Sequence, residues 1–115
     1  MENKSALELA RLVRNAMEDK KAENIKVIDI SEISTIADYF VICNATNTSQ
    51  IEAITDNVCD TLGRAGYSGR KTEGAHSTEW ILMDYGDVVI HIFSREGRAF
   101  YDLERIWRDG KFIDD

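Results

Sequence analysis

The sequence predicts an α/β fold, in which a mixed β-sheet of about five strands is flanked by helices within one compact domain. Three observations support this prediction. Apolar residues recur at helical spacing in several segments, and short runs rich in β-branched residues lie between them. The chain of 115 residues also suits one hydrophobic core and is too short for two, so residues 1–115 are expected to form a single domain.

The first helix is predicted to run from Asn3 to about Asp19. Its apolar residues are spaced three and four positions apart, which places them on one side of an α-helix. They are Ala6, Leu9, Val13 and Met17. This side of the helix is expected to cover the sheet.

Two strands are predicted to follow. Ile25–Ile30 is rich in β-branched residues, as strands are. Ile36–Cys43 is apolar on both faces after Asp38, which is typical of a central strand covered on both sides. These strands are expected to be neighbours because they are consecutive in the chain.

The second helix is predicted from about Ser49 to Ala65. Ser49 and Glu52 have the spacing of a capping box, and Gly66 is well placed to end the helix. The apolar stripe consists of Ile51, Ile54, Val58 and Leu62. Tyr67–Lys71 is then predicted as a short strand.

A β-hairpin is predicted between Trp80 and Phe93, around the turn Gly86-Asp87. Glycine at the first turn position suits the type II′ geometry, so Tyr85 is expected opposite Val88. One face of this hairpin is then wholly apolar and is expected to lie in the core. It consists of Ile81, Met83, Tyr85, Val88, Ile90 and Ile92.

The opposite face of the hairpin mixes bulky apolar groups with polar ones. Its predicted pairs are Trp80 with Phe93, Leu82 with His91, and Asp84 with Val89. This face is too apolar for an ordinary solvent-exposed surface and too polar for an ordinary interior. We interpret it as half covered, with the remainder available to a binding partner.

The last helix is predicted from about Glu96, with one side facing the core. That side holds Phe100, Leu103 and Trp107. The terminal residues GKFIDD are expected to form a tail.

Composition and charge narrow the class of protein. Twenty-one acids against fourteen bases give a net charge of −7, which disfavours direct binding to DNA or bare RNA and favours a basic protein partner. The chain contains no apolar run of membrane-spanning length and no signal or transit character, so a cytoplasmic location is expected. Cys43 and Cys59 are expected to be reduced and buried, and with only His76 and His91 beside them no zinc site or other cofactor is expected.

The sequence carries no motif for nucleophilic catalysis and no glycine-rich phosphate loop. An enzyme is the alternative function. Asp29 and Asp38 lie on two consecutive predicted strands, so they could be neighbours in the sheet. Carboxylates on neighbouring strands hold divalent metal in nucleotidyl- and phosphotransferases. The paired acidic motif that such enzymes carry on one strand is missing.

Four segments, in this order and at this spacing, resemble the ribosomal silencing factor family, also called the Iojap-like family. They are IADYFVIC, the pair Glu73-Gly74, WILMDYGDVVIHIF and RAFYDLERIW. The resemblance covers about Ile25 to Trp107, and its most specific part runs from Trp80 to Trp107.

The resemblance implies a domain similar to the nucleotidyltransferase fold but without its catalytic carboxylates. It also implies a function without chemistry. Members of the family bind the large ribosomal subunit through large-subunit ribosomal protein fourteen, at the surface where the small subunit docks, and so block subunit joining and lower translation.

Family likeness and strand alternation together indicate which residues contact the partner. They are Trp80, Leu82, Asp84 and His91 on the hairpin, with Glu73 and His76 from the adjoining loop. The same mixed face of the hairpin is also expected to be able to pair two copies of the chain into a homodimer.

Overall fold

The computed structural model describes residues 4–69, 71–73 and 79–113. The helices are α1 (Lys4–Asp19), α2 (Thr48–Arg64), α3 (Arg95–Tyr101) and α4 (Leu103–Ile106). The strands are β1 (Glu23–Asp29), β2 (Tyr39–Ala45), β3 (Lys71–Glu73), β4 (Trp80–Asp84), β5 (Val88–Ser94) and β6 (Lys111–Ile113).

The strands form one sheet in the order β3-β4-β5-β2-β1-β6. The central neighbours β2 and β5 run parallel, and every other pair is antiparallel. The predicted α/β class with a mixed sheet is therefore confirmed. Both central strands are almost wholly buried, as expected for strands covered on both faces.

The sheet carries a hydrophobic core on each side. α1 and α2 cover the first side, where the predicted stripes of both helices meet the apolar face of the hairpin. α3 and α4 cover the second side, which we call the aromatic face. Its members include Phe40, Trp80, Leu82, Val89, His91, Phe93, Tyr101, Leu103 and Trp107.

The hairpin adopts the predicted register. The backbone N–H of Tyr85 donates to the carbonyl of Val88 at 3.0 Å, and the facing pairs include Trp80 with Phe93. Gly86 has a φ of 82°, a left-handed conformation that glycine adopts without steric cost. The turn chemistry therefore sets which side chains reach the aromatic face.

The second helix begins one residue earlier than predicted and has a different cap. Asn47 is the N-cap residue, and its side chain accepts a hydrogen bond from the backbone of Gln50 at 2.8 Å. The predicted capping box of Ser49 and Glu52 was wrong, because Ser49 already lies within the helix. Asn47 is as good a cap as serine.

Two strand predictions were displaced along the chain. The second strand begins at Tyr39 rather than Ile36, since the backbone folds into a turn in which Ile33 and Ser34 donate to the carbonyl of Ile30. The short third strand is Lys71–Glu73 rather than Tyr67–Lys71. Tyr67 instead donates its N–H to the carbonyl of Leu62 and so extends the end of α2.

The C-terminal region differs most from the prediction. The single helix expected there is broken at Asp102, which has a left-handed φ of 45°. The break turns Phe100 outward, where it is 80% exposed, so its predicted core position was wrong. The expected tail forms β6, which pairs with β1 through Phe112 opposite Ile28.

Candidate functional site

The structure brings five of the six predicted contact residues to one end of the sheet. Trp80, Leu82 and Asp84 alternate along β4 and are half-buried. Leu82 pairs with Glu73 on one side and with His91 on the other, so these three residues form a row across β3, β4 and β5. His76 lies outside the described residues.

His91 is more deeply buried than a contact residue, since it is only 3% exposed. Burial lowers the pKa of its imidazole to about 3, because the charged form loses its hydration. The ring is therefore neutral at physiological pH. Its Nδ1 accepts a hydrogen bond of 3.1 Å from the indole Nε1 of Trp80.

The indole of Trp80 sits within a cluster of rings. The centroid of its ring system is 4.5 Å from that of Tyr101 and 5.3 Å from that of Phe93, against which it stacks. Aromatic pairs at such distances contribute stabilisation beyond the area that they bury. α3 supplies Tyr101, so the helix and the hairpin together shape this surface. Tyr101 was not among the residues predicted from the sequence, and it immediately precedes the helix break at Asp102.

A close backbone contact fixes α3 over the start of β4. Ser94 caps α3 by accepting from the backbone of Gly97, and its own N–H donates to the carbonyl of Glu79 at 3.0 Å. A side chain at position 97 would meet that same carbonyl. Only glycine therefore allows α3 to pack this near to the residue before Trp80.

A polar network holds the other side of α3 against the sheet. Asn44, buried to 2% exposure on β2, donates to the Glu23 carboxylate at 3.0 Å and accepts from Arg98 at 3.2 Å. Arg95 forms two hydrogen bonds to Glu23, of 2.8 and 2.6 Å. These bonds hold the pKa of the Glu23 carboxyl below its usual value.

The guanidinium of Arg98 forms an ion pair within the fold and is largely buried. It lies 2.6 Å from the Glu104 carboxylate, and its side chain is 11% exposed. The arginine thus links α3 to α4 across the break at Asp102. With its partners on β2 and α4, Arg98 helps to set the angle between the two short helices.

The break at Asp102 leaves an exposed apolar pair beside the ring cluster. Phe100 is 80% exposed and Ile106 is 68% exposed, and both line an open groove of about 670 Å³. The rings of Phe100 and Tyr101 meet edge to face, with centroids 5.0 Å apart. We call Phe100 and Ile106 the elbow pair. It continues the surface that begins at Trp80.

Asp84 and Asp87 place negative charge at the tip of the hairpin. Part of this charge serves the turn itself, because the Asp84 carboxylate accepts from the backbone of Gly86 at 2.7 Å. Asp87 is exposed. Asp84 lies two residues along β4 from Leu82, and Asp87 lies in the turn that follows.

The two aspartates of the enzyme alternative do not face each other. Asp29 lies opposite Tyr39, whose ring belongs to the core beneath α1 and α2, and Asp38 is the residue before Tyr39. Asp38 thus lies in a bend outside β2 and is not the register partner of Asp29. The Asp29 carboxylate accepts from the backbone and hydroxyl of Ser31. Across the described residues, no group of three or more potential metal ligands comes together.

The two cysteines differ in their surroundings. Cys43 is a buried free thiol, and burial raises its pKa to about 12. Cys59 is free but exposed on α2, so the expectation that both are buried was wrong for this residue. The pKa of Cys59 is also raised, first by partial burial. Neither thiol is activated as a nucleophile.

No helix among the described residues has both the length and the apolar character needed to cross a membrane.

Comparisons with known proteins show the family of the chain. The family model described as "Ribosomal silencing factor during starvation" matches residues 3–115. The chain is 39% identical to the ribosomal silencing factor RsfS of Bacillus subtilis over 114 residues, which cover 99% of this chain and 94% of that protein. It is 37% identical to the protein of the same name from Halalkalibacterium halodurans, over 93% of this chain and 92% of that protein.

A solved structure agrees in fold. A crystal structure of a Chromobacterium violaceum protein superposes with a TM-score of 0.87 at 31% identity, covering 94% of this chain and 88% of that one. Sequence and fold therefore match over nearly the same residues.

Proposed function

The chain belongs to the family of ribosomal silencing factors, and we propose that it binds the large ribosomal subunit through large-subunit ribosomal protein fourteen. Bound there, it would occupy the surface on which the small subunit docks and so repress translation. The action is steric, so it requires neither a catalytic residue nor a cofactor.

The observation that supports this proposal is the half-buried part of the aromatic face, which the hairpin strands β4 and β5 form together with α3. Trp80 and Leu82 pack against the core and still reach the surface, and Tyr101 flanks them. Tryptophan and tyrosine in such positions are enriched among residues that dominate binding energy. A surface of this kind suits a protein partner rather than a small molecule.

Charge supports a basic partner. The chain has a net charge of −7, Asp84 lies two residues from Leu82 on β4, and Asp87 is exposed in the hairpin turn. Electrostatic attraction would guide the encounter, and Trp80 and Leu82 would hold the complex afterwards. Glu73 is positioned opposite Leu82 and extends the row, and we assign His76 to the same contact.

The elbow pair extends the proposed contact surface. An 80% exposed phenylalanine beside a 68% exposed isoleucine is costly in water and favourable once covered by a partner. Phe100 contacts Tyr101, which in turn contacts Trp80, so the apolar surface is continuous. We therefore include both residues in the contact.

A catalytic role as a nucleotidyl- or phosphotransferase is not supported by the site. Asp38 lies in a bend before β2 rather than on a strand beside Asp29, and no group of three or more potential metal ligands comes together among the described residues. Titration calorimetry with magnesium or manganese is expected to give no heat of binding. A saturable heat that disappears in Asp29→Asn would support the enzyme instead.

The same surface would let free copies of the chain associate. We expect any homodimer to be displaced by the large subunit, because both would use Trp80 and the elbow pair. Light scattering across a dilution series, with Phe100→Ser as the comparison, measures this. A dimer unaffected by Phe100→Ser would place self-association elsewhere.

The contact is tested by co-sedimentation with purified large subunits. Trp80→Ala is expected to weaken binding by about 2 kcal/mol, roughly thirtyfold, because a buried tryptophan anchor is lost. Tyr67→Ala is the matched control, since Tyr67 is also a half-buried aromatic residue but packs on the core beneath α1 and α2. Equal binding by Trp80→Ala and the unaltered chain would remove Trp80 from the contact.

A further inference from the structure

Among the described residues, the side chain of His91 makes one hydrogen bond, and that bond goes to Trp80. The imidazole Nδ1 accepts from the indole Nε1 over 3.1 Å. The other ring nitrogen, Nε2, is buried and has no hydrogen-bond partner within the described part of the chain. The hydrogen bond of the histidine thus goes to a half-buried residue of the proposed contact surface.

The hydrogen bond determines the tautomer of the ring. A neutral imidazole has one N–H donor and one acceptor nitrogen. Because Nδ1 accepts from the indole, the proton is carried by Nε2. The bond therefore requires a neutral ring with the proton away from Trp80.

If packing alone mattered, an apolar side chain at position 91 would give a more stable fold than histidine. A buried N–H without a partner costs free energy that an apolar side chain of similar size would not. Among the described residues, the hydrogen bond to Trp80 is the polar interaction that offsets this cost. A leucine or phenylalanine would fill the same space but could not accept a hydrogen bond from the indole.

The imidazole is held rigidly by its neighbours. The edge of one ring meets the face of the other between His91 and Phe40, with centroids 4.7 Å apart. Phe40 is braced in the same way by Trp107, at 5.2 Å. The plane of the Phe93 ring is within 7° of the imidazole plane. A fixed acceptor can therefore orient the indole.

We propose that His91 is a positioning residue, whose Nδ1 holds the indole of Trp80 in the orientation that contacts the ribosomal partner. This inference rests on the proposed function for its final step. His91 itself does not touch the partner, because its side chain lies beneath Trp80 and the rings around it.

Two substitutions distinguish the hydrogen-bond acceptor of His91 from the packing of its side chain. In His91→Asn the amide oxygen is attached to Cγ, as Nδ1 is in histidine, so an acceptor remains in the same place. In His91→Leu the space is filled and the acceptor is gone. Circular dichroism and thermal unfolding establish that both variants fold before binding is compared.

The first measurement is spectroscopic and needs no ribosome. The chain has two tryptophans, so its ¹⁵N–¹H spectrum contains two indole N–H signals, and Trp107→Phe identifies that of Trp80. In the unaltered chain and in His91→Asn this signal is expected to be protected from exchange with solvent. In His91→Leu the protection is expected to fall at least fivefold, because the indole N–H has lost its acceptor.

The second measurement is binding to purified large subunits. His91→Leu is expected to bind about tenfold more weakly than the unaltered chain, and His91→Asn within about threefold of it. Full binding by His91→Leu would overturn the proposal. So would equal loss in both variants, since a missing acceptor could not then be the cause.

The outcome for Trp80→Ala separates this inference from the proposed function. If Trp80→Ala binds normally, the proposed contact fails, and the exchange measurement alone still decides whether His91 holds the indole. If Trp80→Ala binds weakly while His91→Leu binds normally, the contact stands and the positioning role is rejected.

Discussion

Gly97 in the first turn of α3 lies directly against the carbonyl oxygen of Glu79, the residue before β4. This contact sets the height of α3 above the sheet and so the position of Tyr101 relative to Trp80. The shape of the aromatic surface therefore depends on a residue that has no side chain.

Gly97→Ala is expected to destabilise the fold by about 1–3 kcal/mol, since the new methyl group overlaps backbone that cannot move aside easily. It is also expected to weaken large-subunit binding by shifting Tyr101. Denaturant unfolding measures the first effect. Gly63→Ala is the control, because Gly63 lies in α2 with open space around it and alanine favours helix by up to about 1 kcal/mol. Equal stability of the two variants would contradict the contact.

Asn44→Ala is expected to cost about 2 kcal/mol or more of stability. The change leaves Arg98 without one acceptor and Glu23 without one donor, at a position where the Asn44 side chain is itself buried. Asn15→Ala, at an exposed position of α1, is expected to stay within about 0.5 kcal/mol of the unaltered chain. A comparably small effect at Asn44 would show that the network contributes little.

Acidification is expected to destabilise the fold through His91. Its pKa is lowered from 6.5 to about 3 in the folded state, so between these values the unfolded chain binds the proton and the native chain does not. Stability is therefore fully present above pH 6.5 and is lost as the pH falls toward 3. From pH 7 to pH 5 the loss from this group is about 2 kcal/mol.

His91→Asn supplies the comparison for this pH effect. The variant keeps every other titratable group and is expected to lose about 2 kcal/mol less than the unaltered chain over the same interval. The Glu23 carboxyl acts in the same direction, but from a usual value of 4.5 and therefore mostly at lower pH. Identical pH profiles for the two proteins would mean that His91 is already accessible to protons in the native state.

Phe100→Ser is expected to weaken large-subunit binding by about 1–2 kcal/mol while leaving stability almost unchanged. The side chain is 80% exposed in the free chain, so its removal costs little until a partner covers it. Ile36→Ser is a matched control, because Ile36 is 75% exposed but lies in the turn before β2. If both variants bind alike, the elbow pair lies outside the contact.

The hairpin could be predicted from sequence because its determinants are local. A two-residue turn that begins with Gly86 leaves one favourable register, and that register sorts every side chain between Trp80 and Phe93 onto one face or the other. The division of the sheet into an apolar face and an aromatic face followed directly. Family likeness then indicated what kind of partner the aromatic face meets.

The degree to which each side chain is buried could not be predicted from the local sequence. Alternation places His91 on the aromatic face but does not reveal that Phe40, Phe93 and Trp80 surround it. Those neighbours come from three different strands. Burial of His91 is therefore a tertiary property, and it changes the role that we assign to this residue.

The exposure of the elbow pair was not predicted, because the prediction from helical periodicity treated this segment as one unbroken helix. Nothing in the local sequence requires Asp102 to adopt a left-handed conformation. The break allows Leu103 and Trp107 to reach the aromatic face while Arg98 pairs with Glu104 across it. Tyr101 is thereby packed and Phe100 exposed, which reverses the expectation for Phe100.

The most direct test mixes purified small and large subunits with the protein and separates the products on a sucrose gradient. We predict that saturating protein keeps the subunits apart and migrates with the large one, whereas Trp80→Ala at the same concentration leaves more subunits joined. Undiminished formation of whole ribosomes at saturating protein would contradict the account.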